Sequence, residues 1–151
     1  MDQTNIEILK ILQKKARIPN IEVSRMINLA PSAVLERIRK MEQKGIIECY
    51  EVRLNPERFR CRQISFIHIF LKSDADSSDV GQNLSVLNEI QEVHFIAGAD
   101  CFLAKIRTAD TAELDRLLRN TIMAIPGVSH TRTFPVLSTT KETAQIPIKT
   151  D

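Results

Sequence analysis

Asn28-Leu29-Ala30-Pro31-Ser32-Ala33-Val34-Leu35-Glu36-Arg37-Ile38-Arg39-Lys40-Met41 is the stretch that decides how the first part of this chain folds. Asn28 tolerates the left-handed conformation that ends a helix, and Leu29 supplies an apolar plug behind it. Pro31 stands where a new helix has its first turn, a position at which its missing N–H costs nothing. The connection Asn28-Leu29-Ala30 is therefore too short for two parallel neighbours. The helices on either side of it must cross steeply, as in a helix-turn-helix.

Upstream, Ile21 to Ile27 reads as the preceding short helix, with Asn20 as its cap after Pro19 and with Val23, Met26 and Ile27 as its buried side. A first helix precedes it, from Gln3 to Lys14, capped by Asp2 and carrying Ile8, Leu9, Ile11 and Leu12 as its apolar stripe. Downstream, the third helix runs from Pro31 to Lys44 and stops at Gly45. Val34, Ile38 and Met41 recur at helical spacing and mark its core side. Ser32, Ala33, Glu36, Arg37, Arg39 and Lys40 are left for the other side. Small residues at the N-terminus permit close approach to a major groove, Arg37 has the reach for a guanine edge, and Arg39 and Lys40 suit phosphates. A solvated amphipathic face is the alternative for any basic helix, but the short turn before this one favours DNA. Ile46 to Val52 then reads as a strand, giving a winged variant.

Charge agrees with that division. Residues 1–62 hold 13 Lys/Arg against 8 Asp/Glu, whereas residues 63–151 hold 8 against 11. The first part is suited to a polyanion and the second is not. Cys49, Cys61 and Cys101 form no CxxC pair, which suits a reducing cytosol better than a disulfide framework. No apolar run reaches the roughly 18 residues that span a bilayer, so no membrane partner and a cytoplasmic, nucleoid-associated location are expected.

After Arg53-Leu54-Asn55-Pro56, a linker with turn chemistry, Arg58, Arg60 and Arg62 alternate onto one side of any extended segment. The pattern then becomes strand, helix, strand, strand, helix, strand. The strands are Gln63 to Leu71, Val93 to Ala97, Cys101 to Thr108 and Ser129 to Leu137, and the helices are Ser78 to Gln91 and Thr111 to Ala124. That order is the ferredoxin-like βαββαβ unit. The fold class is α+β: a winged helix-turn-helix over residues 1–52, a hinge over 53–62, and a ferredoxin-like domain over 63–151. Ile64 to Leu71 is apolar on both faces, so a second subunit's sheet is the simplest cover for the face without helices.

The spacing of Ile8-Leu9, Leu12-Gln13, Arg17-Ile18, Val23-Ser24, Leu29, Val34, Arg37-Ile38, Met41-Glu42 and Gly45-Ile46-Ile47 resembles the Lrp/AsnC, or feast/famine, regulators. Gly98-Ala99-Asp100-Cys101-Phe102-Leu103, Pro126-Gly127-Val128, Thr131-Arg132-Thr133, Lys141-Glu142-Thr143 and Ile146-Pro147-Ile148 extend the resemblance over nearly the whole chain. It departs at four positions. Asn5 replaces the usual Asp, Asn28 the usual Gly, Ala30 the usual capping Ser, and Cys101 the usual acid. The resemblance implies a transcription regulator that binds double-stranded DNA and forms sheet-to-sheet homodimers, which often assemble into octamers. It also implies a small-molecule effector, an amino acid above all, bound between neighbouring dimers by the loop Gly98, Ala99, Asp100 and Cys101, which makes 63–151 the effector-binding and oligomerisation domain. Chemically, backbone N–H groups of that turn suit a carboxylate, Asp100 suits an ammonium group, and Thr131 and Thr133 add hydroxyls. An ordinary tight turn is the alternative reading.

No cofactor is called for. His68, His94 and His130 fall on three strands without metal-ligand spacing, and in a 4-1-3-2 sheet His94 and His68 stand about 9.6 Å apart. Some haem-precursor decarboxylases resemble this family in architecture, but they carry an Arg-rich stretch after the wing and Trp signatures. This chain has Glu48-Cys49-Tyr50-Glu51 there and contains no Trp. A regulator is therefore expected rather than an enzyme.

Overall fold

The computed structural model describes residues 1–149, which divide into two compact units. Met1–Arg53 and the tail from Lys141 onward form one, and Leu54–Thr140 forms the other. The tail thus leaves the 63–151 domain expected from sequence and packs with the N-terminal helices instead.

The first unit holds α1 (Gln3–Lys14), α2 (Asn20–Ile27) and α3 (Pro31–Gln43). Asp2 caps α1, its side chain accepting from the Asn5 N–H. At α2 the expected cap fails: Asn20 is already helical, and Pro19 precedes it without a side-chain cap. The Pro19 carbonyl instead accepts from the Glu22 and Val23 N–H groups, as the first turn of a helix requires. Asn28 adopts φ 54° and ψ 48°, the left-handed stop read from sequence. Ile8, Leu12, Val23, Val34, Ile38 and Met41 form the core, with Leu9, Ile11, Ile27, Leu29 and Ile47 packed against it. Met26, assigned to the buried side from its spacing, is 64% exposed, and Ser24 is buried in its place. The Ser24 hydroxyl satisfies itself on the Ile21 carbonyl at 2.8 Å.

The expected wing strand, Ile46 to Val52, is absent. After Gly45, at φ +66°, the Ile46 and Ile47 N–H groups return to the Met41 carbonyl, and no strand forms over these residues. A strand needs a ladder partner, and among the described residues no strand pairs with this stretch. Ile47 packs on the core, and the Tyr50 hydroxyl donates to Glu42 at 2.8 Å; partial burial first, and this bond to a carboxylate second, push the phenol pKa up to about 12.

The second unit opens with a short 3-10 turn over Pro56–Phe59, and Arg60 follows in the left-handed region. Arg58, Arg60 and Arg62 consequently do not share one side of an extended segment. The sheet contains β1 (Gln63–Leu71), β2 (Ile90–Ile96), β3 (Cys101–Thr108) and β4 (Val128–Pro135), antiparallel in the order β2-β3-β1-β4. One face is covered by α4 (Ser77–Ser85) and α5 (Thr111–Leu117), the latter continuing as a π turn over Leu118–Ile122. Ile67, Ile69, Phe102, Ala104 and Ile106 from the sheet meet Val80, Leu84, Leu114, Leu117 and Ile122 there.

Helix α4 ends well short of the expected Gln91. Leu87 and Ile90 still turn inward, but Glu89 and Ile90 already pair with β3, so β2 starts three residues before Val93. Apolar spacing alone does not separate helix from strand in so short a run. The other sheet face bears Phe66, His68 and Phe70 of β1, Leu103 and Lys105 of β3, and His130, Arg132 and Phe134 of β4, by register. Phe70 and His130 stack at 4.3 Å, and His68 stands edge-on to Phe134 at 5.3 Å. Phe66 and Phe134 remain exposed on that face.

Candidate nucleic-acid interface and effector surface

Helix α3 presents two different sides. Ser32, Glu36, Arg39 and Gln43 recur at i, i+4, i+7 and i+11, and all four are exposed, opposite the buried Val34, Ile38 and Met41. Ala33 and Lys40 flank that stripe. Ala30, at the cap position, makes no side-chain hydrogen bond, so no cap side chain accepts from the Ser32 and Ala33 N–H groups. Lys40 Nζ pairs with Glu36 at 2.6 Å, one helical turn apart. This pair holds the Glu36 carboxyl below the usual range.

Arg37 does not join this stripe. Its Nη1 donates to Asp2 Oδ2 at 2.5 Å and to Asn5 Oδ1 at 2.9 Å, so the guanidinium is held against the start of α1. Arg37, expected to reach a base edge, stands beside the core face of α3 with its guanidinium on the start of α1. Gln43 continues this exposed stripe beyond the residues expected from sequence. Its signal was the same i, i+4, i+7, i+11 stripe, extended one turn further. Asp2 was legible as a cap, but neither it nor Asn5 as a holder of a residue 32 or more positions away.

The proposed effector residues are only partly brought together. Gly98, at φ +90°, Ala99 and Asp100, at φ +47°, form an exposed turn between β2 and β3. Cys101 has no exposed surface and offers a ligand none; burial and the nearby Asp100 push its thiol pKa up, keeping it unreactive. Thr131 and Thr133 pair with Ile69 and Ile67 of β1, and Phe102 and Ala104 of β3 pair with the same two residues from the other side. One whole strand thus separates both threonines from β3, about 9.6 Å at ordinary spacing. Within one chain they do not share a site with the turn. His68 and His94 likewise face Leu103 from opposite sides, and among the described residues no group of three His, Cys, Asp or Glu is placed to hold a metal.

A three-helix DNA-binding unit and an α+β sheet unit on one chain define a ligand-responsive DNA-binding regulator. Residues 1–48 match a winged helix-turn-helix DNA-binding domain, and residues 64–146 match the Lrp/AsnC ligand binding domain. The chain belongs to the Lrp/AsnC family of transcriptional regulators and is not an enzyme. It is 36% identical to the leucine-responsive regulatory proteins of Salmonella typhimurium and Escherichia coli, over 99% of this chain and 93% of theirs. In structure it resembles a Neisseria meningitidis transcriptional regulator solved with L-methionine, at TM-score 0.93 and 26% identity, covering 97% and 96% of the two chains. Escherichia coli AsnC is similar too, at TM-score 0.88 and 26% identity, covering 97% and 99%.

Proposed function

We propose that this regulator reads DNA through the exposed stripe of α3, with Arg39 and Lys40 as its cations and Ser32, Ala33, Glu36 and Gln43 against the groove. The observation that carries this is the sidedness of α3: Arg37 is tied to Asp2 and Asn5, while Arg39 has no ion pair among the described residues. Uncapped N–H groups at Ser32 and Ala33 suit a phosphate oxygen, since the helix dipole places partial positive charge there. Arg37 is then a positioning residue, which sets the angle of α3 on α1. Gel-shift titration tests the assignment. Arg39→Ala should weaken binding to a selected site far more than Arg37→Lys, which keeps the charge at the clamp. The reverse order would return Arg37 to the interface.

The functional unit is a homodimer joined through the open sheet face, and it assembles further toward an octamer. Phe66 and Phe134 on that face leave apolar surface in water at about 25 cal/mol per Å² until it is covered. The effector is an amino acid, held by its carboxylate on the Gly98–Asp100 turn and by its ammonium on Asp100. The methionine-bound relative supports that class. Because Thr131 and Thr133 lie a strand away from the turn, they contribute only from a neighbouring subunit. The protein works in the cytoplasm, at the nucleoid, where its DNA lies.

A further inference from the structure

The tail from Lys141 belongs to the helical unit, although the matched ligand-binding domain runs on in sequence to residue 146. Its attachment is specific. Gln13, in the last turn of α1, exchanges three hydrogen bonds with it. The Gln13 side chain accepts from the Ile146 N–H at 2.9 Å and donates to the Ile146 carbonyl at 3.3 Å, and the Gln145 amide donates to the Gln13 carbonyl at 2.9 Å. At the other end, Arg53 donates to the Glu142 carbonyl at 2.6 Å and pairs with its carboxylate at 3.2 Å. Ile148 lines the same shallow groove on α1, beside Lys10 and Lys14.

We propose that this tail is a strap that completes the DNA-binding unit, stapling α1 to Arg53, the last residue of the unit before the linker. A unit of some fifty residues has a small core and gains most from such additions. Gln13 satisfies both backbone hydrogen-bonding groups of Ile146 in the strap, and the Arg53–Glu142 pair joins the two places where the chain leaves and re-enters the unit. Residues 136–140 alone separate the strap from β4, so the ligand-binding domain reaches the DNA-binding unit by two covalent routes.

Three proteins test the strap: the wild type, a chain ending at Thr140, and full-length Gln13→Ala. Hydrogen exchange of the amides of residues 6–14 should quicken by about tenfold in the shortened chain and by less in Gln13→Ala. Binding to random-sequence duplex DNA at low salt should weaken in the same order, while the assembled mass by light scattering stays unchanged. Unaltered exchange in α1 for both variants overturns the proposal. So does a shortened chain whose mass changes while α1 stays protected, because the tail would then serve assembly. Should the wild type fail to bind DNA, the reading of α3 fails, and exchange still decides the strap. Should the shortened chain not fold, Gln13→Ala alone decides it.

Discussion

Asp2 holds two helices at once: its Oδ1 accepts the Asn5 N–H that caps α1, at 2.7 Å, and its Oδ2 accepts from Arg37 of α3, at 2.5 Å. The Arg37 bond first, and the Asn5 bond second, keep this carboxyl below its ordinary 3.8. A carboxyl lowered in the folded state stabilises fully above its unfolded pKa, and the contribution is lost as pH falls through the folded value. Asp2→Asn retains a capping oxygen and discards the charge. Its melting temperature should lie below that of the wild type at about pH 7, and the gap should close as the pH is taken to about 2. A gap of equal size at both would show that charge on Asp2 contributes nothing.

Arg39→Ala should cost about 1–3 kcal/mol of affinity at a selected DNA site. Glu36→Gln should act oppositely, strengthening binding to all sequences, because it removes a negative charge from the groove face and releases Lys40 from its pair. Anisotropy titrations across a salt series check both. The slope of log affinity against log salt should become shallower by about one for Arg39→Ala.

Gly127 bears the tightest steric demand in the sheet unit. At φ +90°, a Cβ built on it would stand 2.9 Å from both Ala75 Cβ and Val80 Cγ2, and its carbonyl accepts the Lys72 N–H at 2.8 Å. Val80 is core, and Ala75 leads into α4, so neither neighbour can retreat cheaply. Gly127→Ala should destabilise the fold by about 1–3 kcal/mol, read from urea unfolding. A midpoint within error of wild type would mean that the β4 turn is looser than its packing indicates.

Phe66→Lys with Phe134→Lys places two cations where the open sheet face is apolar. Light scattering should then give 17.2 kDa, the mass of one chain, with far-UV circular dichroism unchanged. Retention of the larger mass would place the subunit contact elsewhere.

Asp100 adopts φ +47°, so Asp100→Gly removes the carboxylate at no backbone cost. Calorimetry with L-methionine and L-leucine should show binding to the wild type and none to the variant. Gly98→Asp is a poorer probe, since φ +90° strains any side chain there although the space around it is open. Equal heats from wild type and Asp100→Gly would remove Asp100 from the site.

Local chemistry alone determined much of this protein. The stop at Asn28, the start at Pro31, the Asp2 cap, the core stripe of α3 and the bounds of β1 and β3 depend on residue type and spacing over a few positions, and all were legible in the sequence. So was the βαββαβ order. Tertiary structure decided what depends on a partner distant in the chain. Ile46 to Val52 has the composition of a strand but finds no strand to pair with. Leu87 to Gln91 continues a helical pattern, yet pairing with β3 draws it into β2. Arg37 has the chemistry of a base reader, and only the arrival of Asp2 and Asn5 from α1 gives its guanidinium partners within the chain. Thr131 and Thr133 alternate as an effector site would, but register sets a strand between them and β3. The tail from Lys141 carries no helix or strand pattern at all, because its structure consists of hydrogen bonds to Gln13 and Arg53, which no local pattern encodes.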